Sequence, residues 1–156
     1  MPTVIHVELD SSLPPERVLA AAHDFSDRRT EIFPAVRAEH FEVHDRGDDW
    51  ADVTEGTPAG VGINWERCRY DWSRGSSVLA TVTDSNVYGF PGSSWELRAS
   101  PQDGGSRVDM IWARDFQHRP RALVWGTLFR LVGKPIFNKY AKDVVRNLER
   151  LERSSD

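Results

Sequence analysis

The sequence predicts an α+β domain in which a curved antiparallel β-sheet packs around a long C-terminal helix. The segment 37–116 alternates with period 2 between turns rich in Gly, Asp and Ser, as short hairpin-linked strands do. The segment 135–151, placed on a helix at about 100° per residue, gathers its apolar side chains within an arc of roughly 100°. These side chains are Phe137, Tyr140, Ala141, Val144, Leu148 and Leu151. Because a helix with one apolar face needs a burial partner, the sheet is its natural one.

The N-terminal part of the chain predicts one strand followed by two short helices. Residues 3–9 alternate and are rich in β-branched side chains, which favours a strand. A Pro-Pro-Glu run then supplies a helix N-terminus, so a helix is predicted over 17–22. A second short helix is predicted over 27–33, and Pro34 ends it.

Six further strands are predicted before the C-terminal helical region. They cover 37–45, 50–55, 63–72, 78–84, 93–99 and 106–116. The connections between them are too short for a parallel crossover, so these strands form an antiparallel meander.

The helical region itself has two predicted parts. Residues 121–134 predict a helix whose apolar side chains cover roughly 160° of the helical wheel, which is wider than one packing face requires. The run Gly133-Lys134-Pro135 predicts that this helix breaks or kinks before the segment 135–151, because proline lacks a backbone donor.

Composition and motifs exclude several classes of function. The 156 residues fit a single domain, 1–156, and the net charge of -4 includes no basic block, so no nucleic-acid partner is predicted. The sequence has no P-loop, dinucleotide fingerprint or G-x-S-x-G, and no cofactor is predicted. The N-terminus shows no signal peptide, no segment approaches the roughly 20 apolar residues of a membrane span, and Cys68 is the single cysteine. We therefore expect a soluble cytoplasmic protein.

The order of the predicted elements resembles that of the START-like helix-grip superfamily. Four short sequence segments contribute to the resemblance: Leu13-Pro14-Pro15-Glu16-Arg17-Val18, Trp95-Glu96-Leu97, Gly104-Gly105-Ser106-Arg107-Val108 and Leu148-Glu149-Arg150-Leu151. Within the superfamily the chain is most similar to the bacterial polyketide cyclase/dehydrase-type, or SRPBCC, proteins. The resemblance implies a seven-stranded sheet closed over the last helix, with a pocket for a hydrophobic or amphipathic small molecule. Since members include carriers, receptors and cyclases, it implies the fold more than the activity.

The first function that we predict is the binding of a small hydrophobic molecule, lipid-like or polyketide-like, in this cavity. Aromatic rings make good walls for such a ligand. The predicted lining residues are Phe41, Tyr70, Trp95, Leu97, Met110 and Trp112 from the strands, and Trp125, Phe129, Phe137, Tyr140 and Val144 from the helices.

The alternative function is a cyclase or dehydratase that uses neither metal nor nucleotide. If the side of the strand that carries Glu66 faces the interior, desolvation raises the pKa of this carboxyl and makes it a candidate general acid or base. If Glu66 instead has only a structural role, it forms an ion pair with an interior arginine or lies at the rim of the cavity. Arg114, Asp115 and His118 are predicted near the mouth, either as surface residues or as the polar end of the site.

Two other patterns receive structural interpretations. His40, Glu42 and His44 alternate on one side of the second strand, as metal ligands could, but Phe41 is a better inward residue, so this row is predicted to face solvent and no metal is predicted. Cys68 is predicted to be a buried apolar residue rather than a nucleophile.

The wide apolar stripe over 123–132 leaves several interpretations open. It either closes one end of the cavity, opens as a lid, or contacts another copy of the chain or, transiently, a membrane. A third function, a protein-interaction module without a ligand, is favoured if this stripe is exposed and the cavity is absent.

Overall fold

The computed structural model describes residues 2–58, 62–116 and 120–155, and its fold is the one predicted from the sequence. The elements are β1 (Thr3–Ser11), α1 (Pro15–Ala22), α2 (Arg29–Ile32), a 3₁₀ turn (Ala38–His40), β2 (Phe41–Arg46), β3 (Trp50–Pro58), β4 (Ile63–Asp71), β5 (Ser77–Ser85), β6 (Ser94–Gln102), β7 (Gly105–Arg114) and α3 (Pro120–Ser155). The second strand is shorter than predicted, because the chain forms the 3₁₀ turn before Phe41.

The seven strands form one antiparallel sheet in the order β1-β7-β6-β5-β4-β3-β2. Strands β2 to β7 follow one another as a meander, and β1 pairs with β7 from Thr3 opposite Arg114 to Ser11 opposite Ser106. The register between β4 and β5 shifts between Arg67 and Cys68. Such an irregularity bends and twists a strand, which helps the sheet to curve.

The turn between β6 and β7 depends on two glycines. Gly104 has φ 81°, in the left-handed region that favours glycine, and a Cβ on Gly105 would clash with the carbonyl oxygen of Ser11. The turn therefore brings β7 close to the end of β1. It also fixes the register of β7, whose inward side chains form part of the site described below.

The C-terminal half of α3 is held in the hollow of the sheet. Ala141, Val144 and Leu148 are buried in the main core, as the apolar arc of the sequence predicts. Burial of a side chain the size of leucine contributes about 2 kcal/mol to folding. Polar contacts fix the same part of the helix, since Asn147 Nδ2 donates to the Ile32 carbonyl at 3.1 Å and Glu149 Oε1 accepts from Ser11 Oγ at 3.2 Å.

The predicted break before Pro135 is wrong, because α3 is one continuous helix of 36 residues. Pro135 lacks the N–H that would bond the Leu131 carbonyl one turn earlier. Leu131 is 74% exposed, so water can reach this part of the helix and replace the missing bond. Gly133 is buried against Ile5 of β1 before the proline, and Val144 is buried in the core after it, so packing holds the helix on the sheet on both sides. Within the described residues, no helix has the length and hydropathy needed to span a bilayer.

Candidate ligand-binding cavity

A cavity of about 670 Å³ lies between the inner face of the sheet and α3. Its volume falls in the range of small-molecule sites. The predicted site residues that line it are Glu66, Tyr70, Trp95, Met110, Trp112, Trp125, Phe129, Phe137 and Tyr140. Leu97 and Val144 lie outside the lining because they are fully buried in the core, and Phe41 packs at the edge of that core.

One wall of the cavity consists of aromatic rings that pack against each other. The rings of Trp112 and Phe137 have centroids 4.6 Å apart, those of Phe129 and Phe137 5.3 Å apart, and those of Phe116 and Phe129 5.5 Å apart. These separations and tilted geometries are typical of favourable aromatic pairs. Because each ring is held by its neighbours, the apolar wall is formed before any ligand arrives.

The first polar group in the cavity is a buried ion pair between Arg29 of α2 and Glu55 of β3. Arg29 is 1% exposed, and its Nε and Nη2 donate to the two carboxylate oxygens of Glu55 at 3.2 and 3.1 Å. Its Nη1 donates to the Ala22 carbonyl at 2.7 Å, and its guanidinium carbon lies 4.2 Å from the ring centre of Phe33. Burial alone would lower the pKa of Arg29, but the Glu55 carboxylate raises it above its ordinary value. Arg29 therefore stays charged.

Tyr70 extends this ion pair into a network. Its hydroxyl donates to Glu55 and accepts hydrogen bonds from Arg29 Nη2 at 3.0 Å and Trp95 Nε1 at 3.3 Å. The hydroxyl thus uses its one donor and both acceptor positions. Burial, and then the Glu55 carboxylate, raise the pKa of Tyr70 well above its ordinary value, so the phenol remains protonated and keeps donating to Glu55.

The second polar group is an ion pair between Glu66 of β4 and Arg114 of β7. Arg114 Nη1 lies 2.8 Å from Glu66 Oε2, and the guanidinium carbon lies 4.4 Å from the ring centre of Tyr88. Of the two interpretations of Arg114, the surface position is wrong, since the residue is 5% exposed, continues the inward row of β7 and lines the cavity. Burial alone would lower the pKa of Arg114, whereas the Glu66 carboxylate raises it above its ordinary value. The structure thus places Glu66 in the interior with an arginine partner, which matches its structural interpretation.

Of the other predicted catalytic residues, the described one, Asp115, does not line this cavity. Asp115 is half-buried, and its backbone N–H donates to Ser93 Oγ at 2.9 Å. It borders a smaller neighbouring cavity of about 280 Å³, which Arg114 also lines. His118 lies outside the described residues, so its position relative to either cavity is not part of the structure.

The row of His40, Glu42 and His44, which is predicted to face solvent, does not lie on one strand. His40 belongs to the 3₁₀ turn, whereas Glu42 and His44 are exposed on β2, and His44 Nε2 lies 2.7 Å from Thr54 Oγ1. The interpretation of Glu42 and His44 as a solvent-facing pair is therefore confirmed, and the inclusion of His40 in that row is wrong.

A different group, His6, Glu8 and Asp109, has side-chain oxygens and nitrogens within reach of one ion on the outer side of β1 and β7. Arg107 bonds both acids of this group, Glu8 at 2.8 Å and Asp109 at 3.3 Å. The guanidinium thus already occupies the position that a cation would need. This cluster is better described as a surface ion-pair network.

Cys68 is buried at 1% exposure, as predicted. Burial raises the pKa of its thiol well above the ordinary value, and Glu66 raises it further. Since the thiolate is the nucleophilic form, these shifts and the burial favour the predicted role of Cys68 as a buried apolar residue.

A curved antiparallel sheet that holds a long C-terminal helix around an apolar cavity defines a helix-grip protein. The chain belongs to the family described as polyketide cyclase/dehydrase and lipid transport, whose family model matches residues 2–155. No curated protein matches the chain.

Solved structures share the fold over the whole chain. TTHA0849 from Thermus thermophilus has a TM-score of 0.76 at 17% identity, and the match covers 99% of this chain and 100% of that one. The Zhui aromatase/cyclase from Streptomyces sp. R1128 has a TM-score of 0.74 at 16% identity, covering 100% and 97%. A START superfamily protein from Mycobacterium smegmatis has a TM-score of 0.62 at 8% identity, covering 94% and 92%. At these identities the likeness shows the fold.

Proposed function

We propose that the protein binds one small amphipathic molecule without net charge in the 670 Å³ cavity. The observation that carries the proposal is the composition of the cavity wall, which is mostly apolar and aromatic. Its polar side chains are the Arg29–Glu55 and Glu66–Arg114 pairs, the tyrosines beside them, and Thr57 and Asn64. The apolar body of the ligand packs on the aromatic wall, and its hydroxyl or carbonyl groups face the ion pairs. This chemistry fits lipid-like and polyketide-like molecules.

The charge balance of the cavity favours a neutral ligand. Each buried arginine is paired with a carboxylate, so the four charged groups sum to zero. A charged ligand would bring an uncompensated charge into a poorly solvated site, which costs free energy unless an existing pair opens. A neutral ligand can instead donate hydrogen bonds to the Glu55 or Glu66 carboxylate and leave both ion pairs intact.

A cytoplasmic location is part of the same proposal. Cys68 is a buried free thiol, and a chain without disulfides suits a reducing compartment.

The test combines ligand capture with a blocked entrance. Native mass spectrometry of the purified protein should reveal a bound small molecule, and the neutral fluorophore N-phenyl-1-naphthylamine should compete with it. Val132 lines the cavity and is 42% exposed, so Val132→Trp should fill the mouth and weaken fluorophore binding by about tenfold or more.

The matched control is Leu131→Trp, at the adjacent exposed position that does not line the cavity. It should bind the fluorophore like the wild type. Equal affinities of the Val132→Trp protein, the Leu131→Trp protein and the wild type, or no binding to any of them and no bound molecule, would overturn the proposal.

A second candidate function is a cyclase or dehydratase, favoured by the presence of two carboxylates, Glu55 and Glu66, against one apolar cavity. In this candidate Glu66 moves a proton while the wall folds a poly-β-keto chain. Asp115 and His118 are the alternative acid-base pair of the proposal. Glu66→Gln should then abolish turnover of a poly-β-keto thioester while the fluorophore still binds. Unchanged turnover by the Glu66→Gln protein excludes this role of Glu66.

A further inference from the structure

We propose that the first half of α3 docks the protein on an anionic lipid bilayer, with the mouth of the cavity against the membrane. The docking face is the row of exposed apolar side chains on this half-helix: Leu123, Val124, Leu128, Leu131, Val132 and Ile136.

The docking face concentrates the apolar surface that the fold leaves uncovered. Among the described residues, eight large hydrophobic side chains are exposed, and six of them lie on the docking face. The other two are Val4 on β1 and Phe90 in the loop between β5 and β6. Scattered exposed apolar residues need no explanation, but a contiguous set on one helix marks an interaction surface.

The charges around the docking face identify its occupant. The segment 123–136, which carries the docking face, contains two cations, Arg130 and Lys134, and no Asp or Glu, in a chain whose net charge is -4. Arg130 and Lys134 are exposed and donate to neutral oxygens, Thr3 Oγ1 and the His6 carbonyl. No ion pair among the described residues neutralises either of these two cations. An apolar stripe edged by basic side chains fits a bilayer with anionic headgroups.

A second copy of the chain fits this surface less well. If two copies packed their docking faces with the half-helices antiparallel about a two-fold axis, the cations of one copy would lie towards the cations of the other. Repulsion between like charges opposes that arrangement, whereas anionic lipid neutralises the same cations.

The geometry of α3 links the docking face to the cavity. At about 100° per residue, Trp125 and Phe129 point to one side of the helix and Arg130 and Lys134 to its far edge. Most of the exposed apolar side chains lie between these two sides, and Leu123 lies on the cationic edge. Leu128, Val132 and Ile136 follow each other at intervals of four residues, and each both lines the cavity and is exposed. The docking face is therefore also the rim of the cavity. Exchange of an apolar ligand directly with the bilayer rests on the proposed function, whereas docking itself does not.

The test measures flotation of the full chain with lipid vesicles. Vesicles of phosphatidylcholine containing about one third phosphatidylglycerol should bind the wild type, and vesicles of phosphatidylcholine alone should bind it several-fold less. Val124 and Leu131 line neither cavity, so the double variant Val124→Gln/Leu131→Gln changes the docking face alone. It should lower the partition coefficient by about tenfold or more. Arg130→Gln/Lys134→Gln should lower binding to the anionic vesicles and flatten its salt dependence.

The matched control is Val4→Gln. Val4 and Val124 are exposed to the same degree, 58% and 60%, but Val4 alternates with the inward-facing Ile5 and so points to the outer side of the sheet. This variant should float like the wild type. Circular dichroism establishes that each variant is folded.

Three outcomes overturn the proposal. The first is flotation of Val124→Gln/Leu131→Gln equal to that of the wild type. The second is an equal loss in Val4→Gln. The third is a wild-type dimer in sedimentation that this double variant dissociates, without vesicle binding, because the face then contacts a second copy. Binding of N-phenyl-1-naphthylamine is measured in parallel: its absence in a wild type that still floats removes the proposed ligand function and leaves docking intact.

Discussion

Glu55 on β3 lies directly opposite Glu66 on β4, and each of these two carboxylates is bound by a different buried arginine. Like charges on opposed residues of neighbouring strands destabilise a sheet. Arg29 and Arg114 offset this repulsion and also compensate the burial of the acids. The four side chains connect α2 with β3, and β4 with β7, so the polar groups of the cavity also hold its walls together.

The first prediction concerns the pair between Glu66 and Arg114. Glu66→Gln leaves the Arg114 guanidinium buried without a counter-charge, and removal of one partner from a buried pair typically costs several kcal/mol. Glu66 borders the cavity, where water can partly solvate the arginine, so we expect the free energy of unfolding to fall by about 2 kcal/mol. Urea denaturation measures this change. Adding Arg114→Met should recover part of the loss, because the unpaired charge is then gone.

The control for this prediction is Glu96→Gln. Glu96 pairs with Arg98 at 2.8 Å, but the Arg98 side chain is 55% exposed. Exposed pairs contribute at most about 1 kcal/mol, so this variant should change stability little. Equal losses in Glu66→Gln and Glu96→Gln would show that burial does not set the cost at Glu66.

The second prediction separates two tyrosines that face the same cavity. Tyr70→Phe removes a hydroxyl with three polar partners and leaves a lone pair of Glu55 and the Trp95 N–H unsatisfied. We expect the free energy of unfolding to fall by about 2 kcal/mol, since a buried group without its partner loses the full cost of desolvation.

Tyr140→Phe is the matched change. Within the described residues, no hydrogen bond to the Tyr140 hydroxyl is formed, and the ring lines the cavity. Its stability should change by less than about 0.5 kcal/mol, while the affinity for hydroxyl- or carbonyl-bearing ligands should fall. Thermal unfolding and ligand titration on the same two proteins distinguish the roles. A larger stability loss in Tyr140→Phe than in Tyr70→Phe would contradict the assignment.

The third prediction concerns alkaline pH. The chain has three tyrosines, and burial raises the pKa of Tyr70, Tyr88 and Tyr140 above the ordinary value. In the unfolded chain these phenols titrate near pH 10, so above about pH 10 the unfolded state loses protons that the native state keeps. Their contribution to stability is complete below pH 10 and is lost as the pH rises towards the native pKa values.

Tyrosinate absorbance and circular dichroism, recorded in one alkaline titration, measure this effect. The three phenols should ionise together with unfolding rather than before it. A tyrosinate signal that develops at pH 10 in a protein with native circular dichroism would contradict the burial of these hydroxyls.

The strands and the core could be predicted from the sequence because they follow from local periodicity. Alternation on β7 places Val108, Met110 and Trp112 inside, and the structure shows that Arg114 continues the same row. Alternation alone therefore predicts that this arginine points inward. The residue type predicts the opposite, because a charged residue at a strand end is usually on the surface. Its burial requires Glu66, which is 48 positions away in sequence and adjacent only in the fold.

Arg29 could not be predicted as a site residue for a related reason. It lies in a helix of four residues, which is too short to show a face by periodicity. Its partners Glu55 and Tyr70 belong to two different strands. Glu55 carried a weak signal, since it follows Ala51 and Val53 at intervals of two on the buried side of β3. Pairing between charges is a tertiary relationship that alternation does not encode.

The continuity of α3 leads to the last prediction. Local chemistry favours a break at Pro135, but the helix passes through it because packing holds both halves on the sheet, at Gly133 against Ile5 and at Val144 and Leu148 in the core. Proline in a helix interior typically costs about 3 kcal/mol or more, and less where water can bond the carbonyl that loses its partner. Pro135→Ala should therefore raise the free energy of unfolding, by about 1 to 2 kcal/mol, since it restores a donor to the Leu131 carbonyl.

Urea denaturation of Pro135→Ala tests this, with Lys142→Ala as the control at an exposed position of the same helix. The control should change stability by less than about 0.5 kcal/mol, because lysine and alanine differ little in helix propensity. A loss of stability in Pro135→Ala would mean that the helix needs the proline in order to follow the curved sheet. In that case the packing that Pro135 allows between Gly133 and Val144 stabilises the fold by more than the missing hydrogen bond to the Leu131 carbonyl costs.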